Sequence, residues 1–441
     1  MMSHGTASDC IPLLIAQLLH RSVWSILELE LSCGDKSSRH ASGRILSSTM
    51  LGRNTFKRFA TTHAVQGAKV TRQSLPYEPF AAVTQPEASQ QQGIVIPRWW
   101  KKDNVLDPKT YMIDGKGKLS RDDLHPSSSL TQEMIEKYEN VGLVYVVNTG
   151  IENDLEFQRD IARIIMTEET VYEGGANPRN KVEANVYDVG APLEAWLHYH
   201  HEMTYKEHSC KNLGFLCKHA VQDRPVGWSF VSDSVQAHDA MMETALGRKL
   251  KEKGLCFIRL MTDANAPREA TNQNKVYNHW QQSWLTDDPD EAEVAARAQG
   301  LHVEWIDTPT DGRLMRTRYY KSAFEYVPFI DRNILFTSIA DDGEWFDAWP
   351  GIKEIPHEQR PLEMMFGDDT PFTLEEKQAW TDIYDEFGIP LRWQPGEVAV
   401  FCNYRFAHGR PSINLKPGER RELGVMLGAP FKRIETVESK W

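Results

Sequence analysis

Gly396 to Pro411 reads GEVAVFCNYRFAHGRP, and GERRELGVML follows at Gly418 to Leu427. The first segment predicts a strand, Val398 to Asn403, that runs into a turn carrying His408. The second predicts a strand over Arg421 to Leu427. Side chains alternate across a strand, so Arg421, Leu423, Val425 and Leu427 share an apolar packing face, while Arg420, Glu422 and Gly424 share the other.

Upstream the pattern is similar. Thr131 caps a predicted helix through Asn140, GLVYVVN (Gly142 to Asn148) is a buried-strand run, and Asp154 to Met166 is an amphipathic helix. Short strand-like runs follow at Val182 to Tyr187, Trp196 to Met203, Leu213 to Ala220 and Trp228 to Ser232. A helical excursion, Val235 to Lys253, and a charged stretch, Asp287 to Ala298, precede further strands at Val303 to Ile306, Ile334 to Ser338 and Leu391 to Trp393. Many short strands, a helical insertion and no regular strand–helix alternation predict a mainly β fold, a sandwich or barrel with helices packed outside it. No G-x-G-x-x-G follows a strand and no G-x-x-x-x-G-K-[ST] occurs, which excludes the common nucleotide-binding loops.

Histidines concentrate in WLHYHHEMTYKEH, Trp196 to His208. An H-E-x-x-H zinc site fails because Tyr205 stands four residues after His201. His200-x-Glu202 remains, and on a strand those two side chains point to one face, supplying an imidazole and a carboxylate of a two-His, one-carboxylate Fe(II) site. Spacing alone does not select it: chance composition gives about two His-x-Asp/Glu pairs, and His302/Glu304 is a second. The plain alternative for either pair is an ordinary strand.

Taken together, the segments resemble the TauD/TfdA family of Fe(II)/2-oxoglutarate-dependent dioxygenases, which includes taurine dioxygenase, clavaminate synthase and γ-butyrobetaine hydroxylase. HHEMTY is similar to the family's H-x-E/D block, RPVGWSFVSD to its G-G-E-T-x-F-A-D block and MFGDDTPFT to its G-D-G-x-x-I segment. NYRFAHGR resembles N-x-R-x-x-H-G-R, and GERRELG the closing G-x-R strand. The five blocks lie in the family's order over about residues 140 to 430.

The resemblance implies a distorted double-stranded β-helix, or jelly roll, of the clavaminate synthase type with a helical insertion. It implies Fe(II) held by His200, Glu202 and His408, with 2-oxoglutarate and O2 as cosubstrates. The Gly-x-Arg spacing places the 2-oxoglutarate arginine at Arg420, with Arg421 in reserve; Ser229 stands where the family has a Thr that helps hold the same carboxylate. Arg410 assists a carboxylate or is a plain turn residue, and Asn403 braces the turn. His198 and His201 are supporting or packing residues, while Tyr205, Trp228, Trp280 and Trp284 are candidates for a substrate cavity. Glu397 stands where the family commonly has Asp, and LFTSI (Leu335 to Ile339) where many members have Phe-Asn.

At 441 residues, roughly 150 per domain suggests about three domains. The blocks instead assign 131–435 to one dioxygenase domain, 76–130 to a linker and N-terminal extension, and 1–75 to a basic leader. Lys36 to Tyr77 holds eight basic residues and no acidic one, so the rest of the chain is more acidic than the whole-chain net charge of −12. Such a balance disfavours a general nucleic-acid binder. The Arg- and Ser-rich leader reads either as a mitochondrial transit peptide or as a solvated tail with the true start at Met50. The six Cys include no Cys-x-x-Cys, and no apolar run approaches a membrane span, so the expected setting is intracellular, mitochondrial or otherwise cytoplasmic. The expected partner is a small molecule, and a homo-oligomer is compatible with the sequence. The expected reaction is hydroxylation or desaturation with release of succinate and CO2. Two alternatives stay open: a non-catalytic jelly-roll sensor, and an O2-independent metal hydrolase or isomerase.

Overall fold

The computed structural model describes residues 106–441 apart from 153, 171–180, 184–185, 189–192, 194–196, 223–225, 267–278, 310–311, 340–358 and 412. The basic leader, most of the linker and Trp196 lie outside the described residues. β1 (Met112–Asp114) and α1 (Ser129–Val141) come first, then β2 (Leu143–Val147) and α2 (Leu155–Arg163). β3 (Lys181–Glu183), β4 (Val186–Asp188), β5 (Leu197–His200), β6 (His208–His219) and β7 (Ser229–Asp233) follow. The insertion runs through α3 (Ser234–Met242), α4 (Ala245–Lys253), β8 (Leu255–Met261), α5 (Trp280–Trp284), α6 (Pro289–Ala298), β9 (His302–Thr308) and β10 (Gly312–Lys321). It continues with β11 (Phe324–Val327), β12 (Arg332–Leu335), β13 (Leu362–Phe366) and α7 (Leu374–Glu386). β14 (Gly388–Leu391), β15 (Val398–Cys402), β16 (Phe406–Arg410) and β17 (Glu422–Lys432) close the fold.

Two sheets make the double-stranded β-helix. The larger has seven strands in the order β1-β2-β15-β6-β17-β4-β3, the smaller four in the order β14-β7-β16-β5. Leu213, Phe215, Phe401, Leu423 and Val425 from the larger sheet meet Val231, Ile389, Leu391 and Phe406 from the smaller in one apolar interior. The opposite face of the larger sheet, with Val144, Val146, Val400 and Met426, is covered by α1 and α2 through Met134, Phe157 and Ile161. Buried on both faces, β15 has no reason to alternate, and its sequence VAVFC does not. Behind the smaller sheet, Tyr199, Trp228, Phe230 and Ala407 pack against Met241, Leu250, Trp380 and Tyr384 of the insertion helices.

Local departures from the sequence reading have physical causes. Ser128, not Thr131, caps α1 by accepting from Thr131 N, and Gly142 ends the helix at φ 84, a left-handed conformation that glycine adopts without strain. The predicted helix Val235 to Lys253 breaks in two because the Thr244 hydroxyl accepts from Gly247 N at 3.0 Å and starts α4. The insertion is not only helical: it carries its own sheet, β13-β8-β10-β9. There β8, LCFIRLM, is buried at every position and so shows no strand period.

Candidate metal centre

β5 and β16 are antiparallel neighbours, and their register sets His408 opposite His200. The pairing slips by one residue immediately afterwards. Gly409 allows the approach: a Cβ there would stand 2.8 Å from the Leu197 carbonyl oxygen on β5. The imidazole rings lie 4.1 Å apart between centroids. Glu202, two residues beyond β5, brings a buried carboxylate to 4.0 Å from His408 Nε2. Ligand atoms of His200, Glu202 and His408 all fall within 4.8 Å of one another, close enough to converge on one ion. Two neutral imidazoles and one carboxylate form the donor set that suits non-haem Fe(II).

Each donor is oriented from behind. His200 donates from Nδ1 to the His198 carbonyl at 2.8 Å, which leaves the Nε2 lone pair for a metal. Phe215 and Phe401 wall the His408 ring at 5.5 and 5.7 Å. Asn403 does not brace its own turn alone. Its Oδ1 accepts from Glu202 N at 2.8 Å, and its Nδ2 donates to Glu202 O at 3.0 Å and Cys210 O at 3.1 Å. The adjoining Met203 is held at φ 61, a left-handed conformation costly for a residue with a side chain.

His201 points away from His200, as strand geometry requires. Buried, it donates from Nδ1 to Thr337 O at 3.0 Å and accepts at Nε2 from Ser234 Oγ at 2.8 Å. Ser234 Oγ in turn accepts from Ala407 N at 2.9 Å, beside His408. Desolvation pushes the His201 pKa down to about 3, which keeps this chain of bonds in its neutral form. His198 is also buried, with Nδ1 at 3.4 Å from Thr381 Oγ.

A second cluster lies inside the same sandwich. Arg421 is buried and donates from Nε to Gly227 O at 2.7 Å and from Nη2 to Ser229 Oγ at 3.1 Å. Trp393 Nε1 also donates to Ser229 Oγ, at 3.0 Å. Two donors occupy the acceptor side of that hydroxyl, so its own O–H is left to give a bond, and it has no acceptor among the described residues. Burial lowers the Arg421 pKa to about 10, and among the described residues no carboxylate pairs with it.

The two arginines differ in environment: Arg420 is exposed, and Arg421 is buried on the interior face with Leu423 and Val425. The apolar face of β17 is the interior of the sandwich. Arg410 is buried and donates from Nη1 to Leu193 O at 2.9 Å and Pro411 O at 3.1 Å, tying the segment before β5 to β16. Of the four aromatic candidates, Tyr205 and Trp284 line a cavity of about 240 Å³. Trp228 and Trp280 are core residues at 1% and 3% exposure. His302 and Glu304, the second pair of matching spacing, are exposed on β9, where Glu304 pairs with Arg316 at 3.0 Å.

A sequence model of the taurine catabolism dioxygenase TauD, TfdA family matches residues 114–427. The chain belongs to the TauD/TfdA family. As a member it is a 2-oxoglutarate-dependent dioxygenase, with Fe(II), 2-oxoglutarate and O2 as cofactor and cosubstrates. A clavaminate synthase-like protein of Arabidopsis thaliana is 23% identical over 261 residues, 58% of this chain and 74% of the relative. Among solved structures, a taurine dioxygenase from Burkholderia xenovorans is 13% identical, covers 74% of this chain and 90% of its own, and has a TM-score of 0.38. The PvcB protein from Pseudomonas aeruginosa is 11% identical over 82% of this chain and 96% of its own, with a TM-score of 0.39. No described helix of this TauD/TfdA member is long and apolar enough to cross a membrane.

Sequence reasoning missed Trp393 and Gly227 as parts of the Arg421 cluster. The reason for a glycine at 227 is visible only in the structure: it adopts φ 83, and a Cβ there would touch the Arg421 side chain at 3.4 Å.

Proposed function

We propose that this enzyme hydroxylates or desaturates a small organic molecule, with His200, Glu202 and His408 as the Fe(II) ligands and Arg421 and Ser229 as the seat of the distal carboxylate of 2-oxoglutarate. The carrying observation is the Arg421–Ser229 pair, a buried guanidinium with no carboxylate partner among the described residues, beside a hydroxyl poised to donate. A carboxylate brought in by a cosubstrate supplies the missing charge and accepts from both groups. A metal hydrolase would leave that arrangement without a role.

With 2-oxoglutarate and O2, bound Fe(II) supplies the oxidant that takes hydrogen from an unactivated C–H bond while 2-oxoglutarate becomes succinate and CO2. The protein's own contribution is placement. The His198 carbonyl fixes the His200 tautomer, Asn403 fixes the Glu202 backbone, and the bonds through His201 and Ser234 hold β16 at Ala407. Phe215, Phe401 and Trp393 keep the interior dry, which strengthens the charge pairing at Arg421.

The test is spectroscopic and chemical. Anaerobic Fe(II) plus 2-oxoglutarate should give a visible charge-transfer band, and O2 should then release succinate. Absence of both in the wild-type protein, or persistence of both in His408→Ala, overturns the proposal.

A further inference from the structure

Glu202 lies beyond the end of β5, so its placement depends on Asn403 and on the turn that follows it, Met203 to Glu207. The turn opens on Met203 at φ 61, a left-handed conformation that persists only where the surroundings hold it. Arg433, the residue after β17, grips this turn twice. Its backbone N donates to Glu207 O at 3.0 Å, and its Nη1 donates to Thr204 O.

The other arm of the guanidinium reaches the insertion. Arg433 Nη2 donates to Phe336 O at 3.2 Å, and the Phe336 ring lies 5.0 Å from the guanidinium carbon. The same ring lies 4.9 Å from His201, which donates to the next carbonyl, Thr337 O. The fork therefore bridges two backbone segments that meet beside His201. Glu325 of β11 orients it by pairing with Arg433 Nε, and Glu325 also accepts from Lys321 Nζ at 2.8 Å. The side chains of Arg433, Glu325 and Lys321 are only 5, 3 and 9% exposed.

Three charges in so dry a setting carry a desolvation penalty that apolar side chains of the same volume would avoid. Apolar side chains cannot donate to backbone carbonyls, and a lysine has no planar fork to span two of them. We propose that Arg433 is a positioning residue for the metal centre: oriented by Glu325, its guanidinium ties Thr204 O to Phe336 O and so holds the turn that carries the Glu202 carboxylate. Lys321 shares the Glu325 carboxylate and serves stability alone. The proposal rests on Glu202 as a metal ligand, and hence on the ligand set of the dioxygenase reading.

Mn(II) titration of the full chain, read by the electron paramagnetic resonance of the free ion, tests this together with hydrogen exchange of the metal-free chain. Arg433→Gln removes the fork, keeps the backbone bond to Glu207 and leaves Glu325 paired with Lys321. It should weaken Mn(II) binding about tenfold, the low end for groups that support a metal ligand. The amides of Thr204 to Glu207 should exchange at least about tenfold faster, as for loss of a hydrogen bond from a charged donor. Arg433→Lys keeps the charge but not the fork, and should show smaller losses of both kinds. Lys321→Gln removes a charge from the same cluster without touching either carbonyl, and should leave both readouts at wild-type values. Wild-type values in either Arg433 variant, or losses in Lys321→Gln equal to those in Arg433→Gln, overturn the proposal; should Arg433→Gln not fold, Arg433→Lys decides alone. His408→Ala serves as the control. If it loses Mn(II) while the Arg433 variants do not, only this proposal falls; if it binds Mn(II) as the wild type does, the ligand set falls as well.

Discussion

His200 and His408 face each other across the β5–β16 pair, 208 residues apart in the chain and 4.1 Å apart between ring centroids. The candidate metal centre is therefore a product of strand register. Removing either imidazole leaves a two-ligand site that offers too few donors to hold Fe(II) against water. His200→Ala and His408→Ala should each abolish the Fe(II)–2-oxoglutarate absorption band while leaving the circular dichroism spectrum and thermal midpoint near wild type. An undiminished band in either variant would rule out this ligand set.

The arginine pair gives a sharper contrast because the two residues are adjacent in sequence and opposite in environment. Arg421→Met should raise the 2-oxoglutarate KM by roughly 100-fold or more, since truncating one partner of a buried charged hydrogen bond costs about 2–5 kcal/mol. Arg420→Ala should leave it within about twofold, as for an exposed charge with no built partner. Initial rates of succinate release at varied 2-oxoglutarate decide between them, and the reverse ranking would remove Arg421 from the site.

How far the sequence reveals this site depends on what the sequence can encode. His200-x-Glu202 and His302-x-Glu304 have the same spacing, and both pairs lie at or near strands. They differ in burial and in what lies across the sheet: His408 beside the first, Arg316 beside the second. That difference is tertiary and is absent from the spacing. The alternation of β17 was legible, yet which of Arg420 and Arg421 is buried required knowing that its apolar face is the interior of the sandwich. α7 was not among the expected elements, although it opens on a Thr373-x-x-Glu376 capping box, in which Thr373 N donates to Glu376 Oε2 at 2.9 Å. The insertion sheet was less legible than β17, because β8 is buried throughout and β10 reads GRLMRTRYYK, with charges on both faces.

Asn403 makes a prediction about positioning rather than ligation. Its amide spans Glu202 N, Glu202 O and Cys210 O in a buried setting. Asn403→Ala leaves buried peptide groups unsatisfied and should cost about 3 kcal/mol of stability. Because Glu202 is then less well oriented, Fe(II) affinity should fall by roughly 10–100-fold, the range seen when groups supporting a metal ligand are lost. Urea denaturation of the metal-free protein and an Fe(II) titration separate the two effects. Unchanged metal affinity would mean that the clamp serves only the fold.

Glu397 supplies the pH dependence. Its carboxyl is buried under β15, accepts from Gln394 N at 2.9 Å and from Tyr145 Oη, and desolvation pushes its pKa up to about 7. Tyr145 Oη also lies 2.7 Å from Arg392 O, an acceptor that competes for its single hydrogen. When Tyr145 donates there, a protonated Glu397 can donate to the tyrosine oxygen instead. The native state thus binds this proton more tightly than the unfolded chain, whose carboxyl titrates near 4.5. Stability from this group is present below about pH 4.5, declines as pH rises toward 7 and is gone above it, a change of up to about 3 kcal/mol. Buried His201 and His238, whose pKa values are lowered to about 3 and about 4, act in the opposite direction below pH 6.5, so the wild-type curve alone mixes these contributions. Glu397→Gln keeps the shape and removes the titration. The stability difference, variant minus wild type, should therefore grow from pH 5 to pH 8 in the metal-free protein, read by urea denaturation. A difference that stays constant over that range would show that Glu397 titrates as an ordinary carboxylate despite its burial.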